Sequence, residues 1–222
     1  MHVAIFTSAS VRKGKFVYKA LETADEVIAA DCGAASAVSL GILPKVVLGD
    51  FDSIDQTVLK KLKNSGSKII TSPAQKDETD TQLAINYAVE QGATKISLIG
   101  GIEGNRLDHL IANISLTYNT KISVQLVNGP SKTWTANGPQ NVCIEGKEND
   151  LLSLFALSQT VKNIITKGLY YPLSNDQLYF GIPLGISNFF TQKEVSVSFQ
   201  EGILLFIHTN LEELEESQCI CD

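Results

Sequence analysis

The 222-residue sequence predicts an α/β N-terminal domain with a mostly parallel sheet, followed by a small all-β sandwich domain. Two observations predict this. Up to residue 128, short β-branched apolar runs alternate with longer amphipathic stretches. Beyond it the helical period disappears, and Gly or Pro recurs every few residues between short strand-like runs. The length exceeds a usual single domain and falls short of two full ones, which suits one medium and one small domain.

In the first part, strands are expected at 2–9, 26–31, 45–50, 68–72, 95–101 and 122–128, with helices near 12–23, 33–40, 54–64, 79–91 and 105–119. Continuous runs such as Val27-Ile28-Ala29-Ala30 and Ile96-Ser97-Leu98-Ile99 suit strands buried on both faces, as in a parallel sheet covered by helices on each side. Asn128-Gly129-Pro130 punctuates the chain. Seven strands are expected after it, at 132–136, 141–145, 151–157, 164–168, 177–180, 194–200 and 203–208. The expected division is 1–130, 131–210 and an acidic tail at 211–222, read as a solvated, frayed end.

The formal charge of −6 comes mostly from that tail, which holds Glu212, Glu213, Glu215, Glu216 and Asp222 and no Lys or Arg. The remaining body, with 19 acids against 18 bases, has no basic footprint for a phosphate backbone, which argues against nucleic acid as a partner. The four cysteines, at 32, 143, 219 and 221, match neither a disulfide framework nor paired zinc knuckles. No run of 18 apolar residues occurs and the N-terminus lacks a signal-peptide pattern, so a cytoplasmic protein without a membrane segment is expected.

In open α/β sheets, ligands bind beyond the carboxyl ends of the strands. Three such ends carry acids: Asp31-Cys32-Gly33-Ala34, Gly49-Asp50-Phe51-Asp52-Ser53 and Lys76-Asp77-Glu78-Thr79-Asp80. If extended geometry persists past the third strand, the side chains of Asp50 and Asp52 share one side. Two carboxylates so close call for a cation, and Mg²⁺ shared with substrate phosphates is the common solution. The competing reading is a plain turn, with Ser53 or Asp52 capping the next helix. Thr79-x-x-Gln82 forms a capping-box pattern that puts Asp80 in a first helical turn, where the helix dipole alone would favour an acid. Lys76 has no such explanation, and a phosphate oxygen suits it. The glycine-rich stretch 100–106 offers backbone N–H groups and the forked Arg106, although it matches no phosphate-loop motif. His109 reads as a structural residue.

In this order and spacing, Ala30-Asp31-Cys32-Gly33-Ala34, Gly49-Asp50-Phe51-Asp52-Ser53, Lys76-Asp77-Glu78-Thr79-Asp80 and Gly104-Asn105-Arg106-Leu107-Asp108-His109 resemble bacterial thiamine pyrophosphokinases. The run from Thr166 through Tyr171 to Leu173, then Phe180-Gly181 and Gly185-Ile186-Ser187-Asn188, extends the resemblance through the second part. It implies a nucleotide domain followed by a thiamine-binding β-sandwich, and a homodimer whose active site is shared between subunits. The implied reaction transfers pyrophosphate from ATP to the thiamine hydroxyl, giving thiamine diphosphate and AMP.

Carried over residue by residue, the resemblance makes Asp50, Asp52 and Asp80 catalytic and metal-holding, with Mg²⁺ as cofactor and Asp31 nearby. Asp31, Gly33, Ser53, Lys76, Asp77, Thr79, Arg106 and Asp108 would contact ATP, with Asp108 orienting Arg106 or a ribose hydroxyl. Ser187 and Asn188 would bind the aminopyrimidine, and Tyr171 would stack on a thiamine ring. Such chemistry asks for positioning and charge neutralisation more than for covalent help. Three departures stand out: Cys32 and Asn105 where the family usually has Gly, and Tyr171 where some members have Trp. A glycine at position 32 could take φ > 0 freely, and cysteine is less permissive there. Two rivals stay open on sequence alone, another ATP-dependent transferase on this scaffold and a non-catalytic thiamine or nucleotide sensor.

Overall fold

The computed structural model describes residues 1–222 except 53, 74, 76, 103–105, 119–121 and 219–222, and the side chains of 216–218. The chain divides into two compact units, Met1–Gly129 and Pro130–Asp222.

The first unit contains β1 (His2–Phe6), α1 (Lys15–Glu22), β2 (Glu26–Ala30), α2 (Gly33–Ser39), β3 (Val46–Gly49), α3 (Gln56–Asn64), β4 (Lys68–Thr71), α4 (Asp80–Glu90), β5 (Lys95–Ile99), α5 (Leu107–Tyr118) and β6 (Ser123–Asn128). The strands lie in the order β6-β5-β1-β2-β3-β4, and every pairing among them is parallel. Alternation along each strand explains the two layers. Val3, Ile5, Ile28, Ala30, Val46, Leu48, Ile96 and Leu98 point to one face, where Ala84, Ile85 and Ala88 of α4 cover them. Ala4, Phe6, Ala29, Val47 and Ile99 point to the other, against Phe16, Val17 and Ala20 of α1, Ala34 and Ala37 of α2, and Leu62 of α3. The chain runs outward from β1 to β4 and then returns to β5 on β1's other side, so the strand order reverses around β1.

The second unit holds β7 (Ser131–Asn137), β8 (Gln140–Glu145), β9 (Leu151–Ala156), β10 (Thr160–Lys167), β11 (Ser174–Tyr179), β12 (Gly185–Phe189), β13 (Glu194–Phe199), β14 (Ile203–Thr209) and α6 (Leu211–Gln218). Strands β12-β9-β14-β7 and β11-β10-β13-β8 form two antiparallel layers. Leu152, Leu154, Leu204 and Phe206 from one layer pack with Val161, Ile164, Val195, Val197 and Phe199 from the other.

Two elements differ from expectation. Strand β12 is an eighth strand, hidden in the sequence because an extra residue enters its pairing with β9 between Gly185 and Asn188, where Ser187 takes φ 55°. This bulge breaks the alternation that marks a strand. Within the acidic tail, Leu211–Gln218 is a helix where a frayed end was expected. Asn210 Oδ1 accepts from the N–H of Glu213 at 3.1 Å, Glu212 and Glu213 favour the first-turn dipole, and Lys147 pairs with Glu212. Asn210 is itself held by the buried Asp150, whose other oxygen meets Nε2 of the buried His208 at 2.9 Å.

Candidate active site

Asp31 follows the last residue of β2, and its main-chain N–H still donates to Leu48 of β3 at 2.7 Å. Its φ of 44° turns the chain sharply out of the strand. Gly49 makes the neighbouring strand fit, because a Cβ there would stand 3.0 Å from both Cα and Cβ of Asp31. Gly33 has a similar reason: a Cβ would fall 2.4 Å from the carbonyl oxygen of Phe6 and 2.6 Å from that of Thr7, so only glycine lets α2 begin against the end of β1. Position 32, in contrast, is ordinary helical backbone at φ −62°, ψ −9°. The left-handed conformation expected to trouble Cys32 therefore falls on Asp31.

The acidic pair after β3 is built differently from the extended reading. The strand ends at Gly49, Phe51 adopts φ 60°, and the N–H of Asp52 donates to Asp50 Oδ1 at 3.2 Å. This is an Asx turn, so the carboxylates converge by chain reversal and not by the pleat. A bulky residue at such φ stores roughly 1–3 kcal/mol of strain, which the partly buried Phe51 ring offsets by packing under the sheet. Asp52 does not cap α3, and Ser53 lies outside the described residues. The cap is Asp55, whose Oδ1 accepts from the N–H and hydroxyl of Thr57, both at 2.7 Å, and this hydrogen bonding holds its carboxyl below the usual range.

Asp31, Asp50 and Asp52 each offer one oxygen within 4.8 Å of the others. Three carboxylates that close repel one another unless a cation intervenes. Asp31 is 6% exposed, and its Oδ1 is buried without a hydrogen-bond partner. A bare buried carboxylate oxygen is costly, and a hard divalent cation with oxygen ligands is what removes the cost. The donor set therefore fits Mg²⁺. The metal-holding trio expected from the sequence was Asp50, Asp52 and Asp80; the group the structure brings together has Asp31 beside the pair, and Asp80 stands outside it in the first turn of α4. Oδ2 of Asp31 accepts from the Cys32 thiol at 3.0 Å. Burial, and then this carboxylate, push that thiol up to about 11.

Thr79 caps α4 as expected, its hydroxyl accepting from the N–H of Gln82 at 3.2 Å. The reciprocal half of the box is not made, since Gln82 donates instead to Asn86, one turn along, at 2.9 Å. Asp77 is exposed in the turn before this cap, whereas Lys76, like Ser53, lies outside the described residues. A cavity of about 410 Å³, lined by Leu48, Ser72, Pro73, Glu78, Asn86 and Tyr87 among others, opens at the ends of β3 and β4. Arg106 and Asp108 form an exposed fork, with Nε donating to Oδ1 at 3.0 Å and Nη2 to Oδ2 at 2.6 Å. The pairing holds the Asp108 carboxyl well below the usual range and raises the guanidinium. Its geometry leaves the remaining guanidinium donors for another anion.

In the second unit, Tyr171 is 62% exposed and sits edge-on to Tyr170, which stacks on Phe189 at 4.5 Å. Asn188 is 8% exposed: Oδ1 accepts from the N–H of Tyr171 and of Phe189, both at 3.0 Å, and Nδ2 donates to the Tyr171 carbonyl at 2.7 Å. Its amide is thus committed mainly to the Tyr171 backbone. Ser187, at the bulge, is exposed, and its main-chain N–H donates to Ser153 Oγ at 3.1 Å. Sequence reasoning missed Ser153 and Phe189, which no local motif marks. Cys32 it treated only as a departure from glycine; the thiol beside an acid was the available signal.

An open, doubly wound parallel sheet with acids at its carboxyl edge, joined to an antiparallel sandwich, defines a class of two-part α/β-plus-β proteins with a cation-ready site. The thiamin pyrophosphokinase catalytic domain matches residues 17–127, and the thiamin pyrophosphokinase vitamin B1 binding domain matches 141–204. The chain belongs to the thiamin pyrophosphokinase family. It is 31% identical to the thiamine pyrophosphokinase of Bacillus subtilis over 186 residues, covering 82% of this chain and 86% of that one. Its fold matches a crystal structure of thiamine pyrophosphokinase from Bacillus subtilis with TM-score 0.81 and 27% identity, covering 95% and 99% of the two chains. A crystal structure of thiamin pyrophosphokinase from Geobacillus thermodenitrificans matches with TM-score 0.80 and 29% identity, covering 95% and 98%.

Proposed function

We propose that the chain is a thiamine diphosphokinase, transferring pyrophosphate from ATP to the hydroxyl of thiamine to give thiamine diphosphate and AMP. Membership of the family supports the reaction, and the observation that carries the site is the convergence of Asp31, Asp50 and Asp52 with the bare Oδ1 of Asp31 among them. These carboxylates would hold Mg²⁺, which supplies charge neutralisation on the triphosphate. Asp80 keeps the catalytic role that the resemblance implies. Arg106, stiffened by Asp108, presents its free donors to phosphate oxygens, and Thr79, Asp77, Gly33, Ser53 and Lys76 complete the ATP contacts. Tyr171 offers its exposed ring to thiamine, Ser187 offers its hydroxyl, and Asn188 fixes the Tyr171 main chain.

The reading includes a homodimer with a shared active site in the cytoplasm. The apolar run Phe180, Ile182, Leu184 and Ile186, all exposed, supports a second copy as its cover. Among the described residues no helix is long and apolar enough to cross a membrane.

The test is incubation of purified protein with ATP, Mg²⁺ and thiamine, with AMP and thiamine diphosphate followed by chromatography. Equimolar AMP and thiamine diphosphate are expected. AMP formed with another alcohol and not with thiamine would replace the substrate, and no AMP with any acceptor would leave a binding protein. Sedimentation should give a dimer; full activity from a strict monomer would reject the shared site.

A further inference from the structure

Asp31 is pinned by its main chain and almost free by its side chain. The backbone is fixed by the hydrogen bond to Leu48, the close pass of Gly49 and the left-handed φ. The carboxylate has about four lone-pair positions, yet among the described residues the only donor reaching it is the Cys32 thiol, at 3.0 Å on Oδ2. Oδ1 stays buried and bare. Without the thiol, the carboxyl plane would have no hydrogen bond to set its rotation. The glycine that the family resemblance expects at position 32 could not supply this donor.

We propose that Cys32 is a positioning residue for the metal site: its thiol anchors Asp31 Oδ2 and so presents Oδ1 to the divalent cation. The proposal rests on the reading of Asp31, Asp50 and Asp52 as a cation site. Residues that orient a ligand through its second atom commonly alter metal affinity 10- to 100-fold when removed. A thiol is a weak donor, which places the expected effect at the lower end of that range.

The experiment measures Mn²⁺ binding to the nucleotide-free protein from the electron paramagnetic resonance signal of the free aquo ion, for wild type, Cys32→Ala, Cys32→Ser and Asp31→Asn. Cys32→Ala should weaken Mn²⁺ binding about tenfold, while Cys32→Ser, which keeps a donor, should stay within about twofold of wild type. In turnover, Cys32→Ala should raise the Mg²⁺ concentration needed for half-maximal rate while leaving kcat at saturating Mg²⁺ nearly unchanged. Wild-type affinity in Cys32→Ala, or equal weakening in Ala and Ser, overturns the role of the thiol. The site reading fails separately, and takes the proposal with it, if wild type binds no Mn²⁺ or if Asp31→Asn binds as wild type does.

Discussion

Asn188 grips Tyr171 with both ends of its side-chain amide, accepting from the N–H at 3.0 Å and donating to the carbonyl at 2.7 Å. This mimics one rung of a sheet and satisfies the main-chain N–H and carbonyl of Tyr171. Replacing Asn188 by Ala leaves the N–H groups of Tyr171 and Phe189 and the Tyr171 carbonyl without that partner. Asn188→Ala should cost about 2 kcal/mol or more in urea unfolding. Because the Tyr171 ring is then no longer fixed, the KM for thiamine should rise more than kcat falls. Asn188→Asp, which keeps the acceptor and loses the donor, should fall between the two.

The three clustered carboxylates make opposite predictions with and without metal. In metal-free buffer Asp50→Asn relieves like-charge repulsion, so its Tm should exceed that of wild type. With Mg²⁺ at a hundred times its Kd, wild type should gain about 2.7 kcal/mol. The variant should gain much less, and its kcat should drop at least about a hundredfold, as when a focused electrostatic group is lost. Scanning calorimetry with and without Mg²⁺ checks both signs.

Gly33 tests the approach of α2 to β1. The Cβ of Gly33→Ala meets carbonyl oxygens that belong to the sheet's end and cannot rotate away. The helix must shift, at a cost of about 1–3 kcal/mol or more, with loss of ATP affinity because Asp31 and Cys32 move with it. Gly41→Ala, where a Cβ meets nothing but φ is 77°, serves as the comparison: it should lose stability through backbone strain while ATP affinity stays. Denaturant midpoints and ATP titrations separate the two.

His2 gives the first unit a pH dependence. Nδ1 lies 2.9 Å from the Thr23 carbonyl and must donate, so Nε2 accepts from Ser97 at 2.8 Å. Burial lowers its pKa below the ordinary 6.5. The folded state then binds fewer protons than the unfolded one between the two values, so stability is complete above about pH 6.5 and is lost as pH falls toward the folded pKa. Urea midpoints from about pH 7 to 5.5 should fall in wild type, and the fall should be smaller in His2→Gln.

Much of this was legible along the chain. The buried strands of the first unit announce themselves by continuous apolar runs, because both of their faces are covered. The capping threonine ahead of α4 is also a local signal, since Thr79 and Gln82 are three residues apart. What escaped depends on partners far along the sequence. Asp31 joins Asp50 and Asp52 only through the β2–β3 register, and Asn188 meets a Tyr171 main chain 17 residues away. The helix at the C-terminus is fixed by Asn210, which Asp150 holds from 60 residues away. In sequence it reads as a run of acids.

The reversal at Phe51 makes the spacing between Asp50 and Asp52 a property of three consecutive residues. Twist of the strands or a shift of a covering helix can change without prising those two oxygens apart. Asp31 has no such independence, since it arrives only when β2 and β3 are zipped together. Partial loosening of the domain would therefore leave a two-pronged, weak chelator, and full grip on the ion would report that the middle of the sheet is intact.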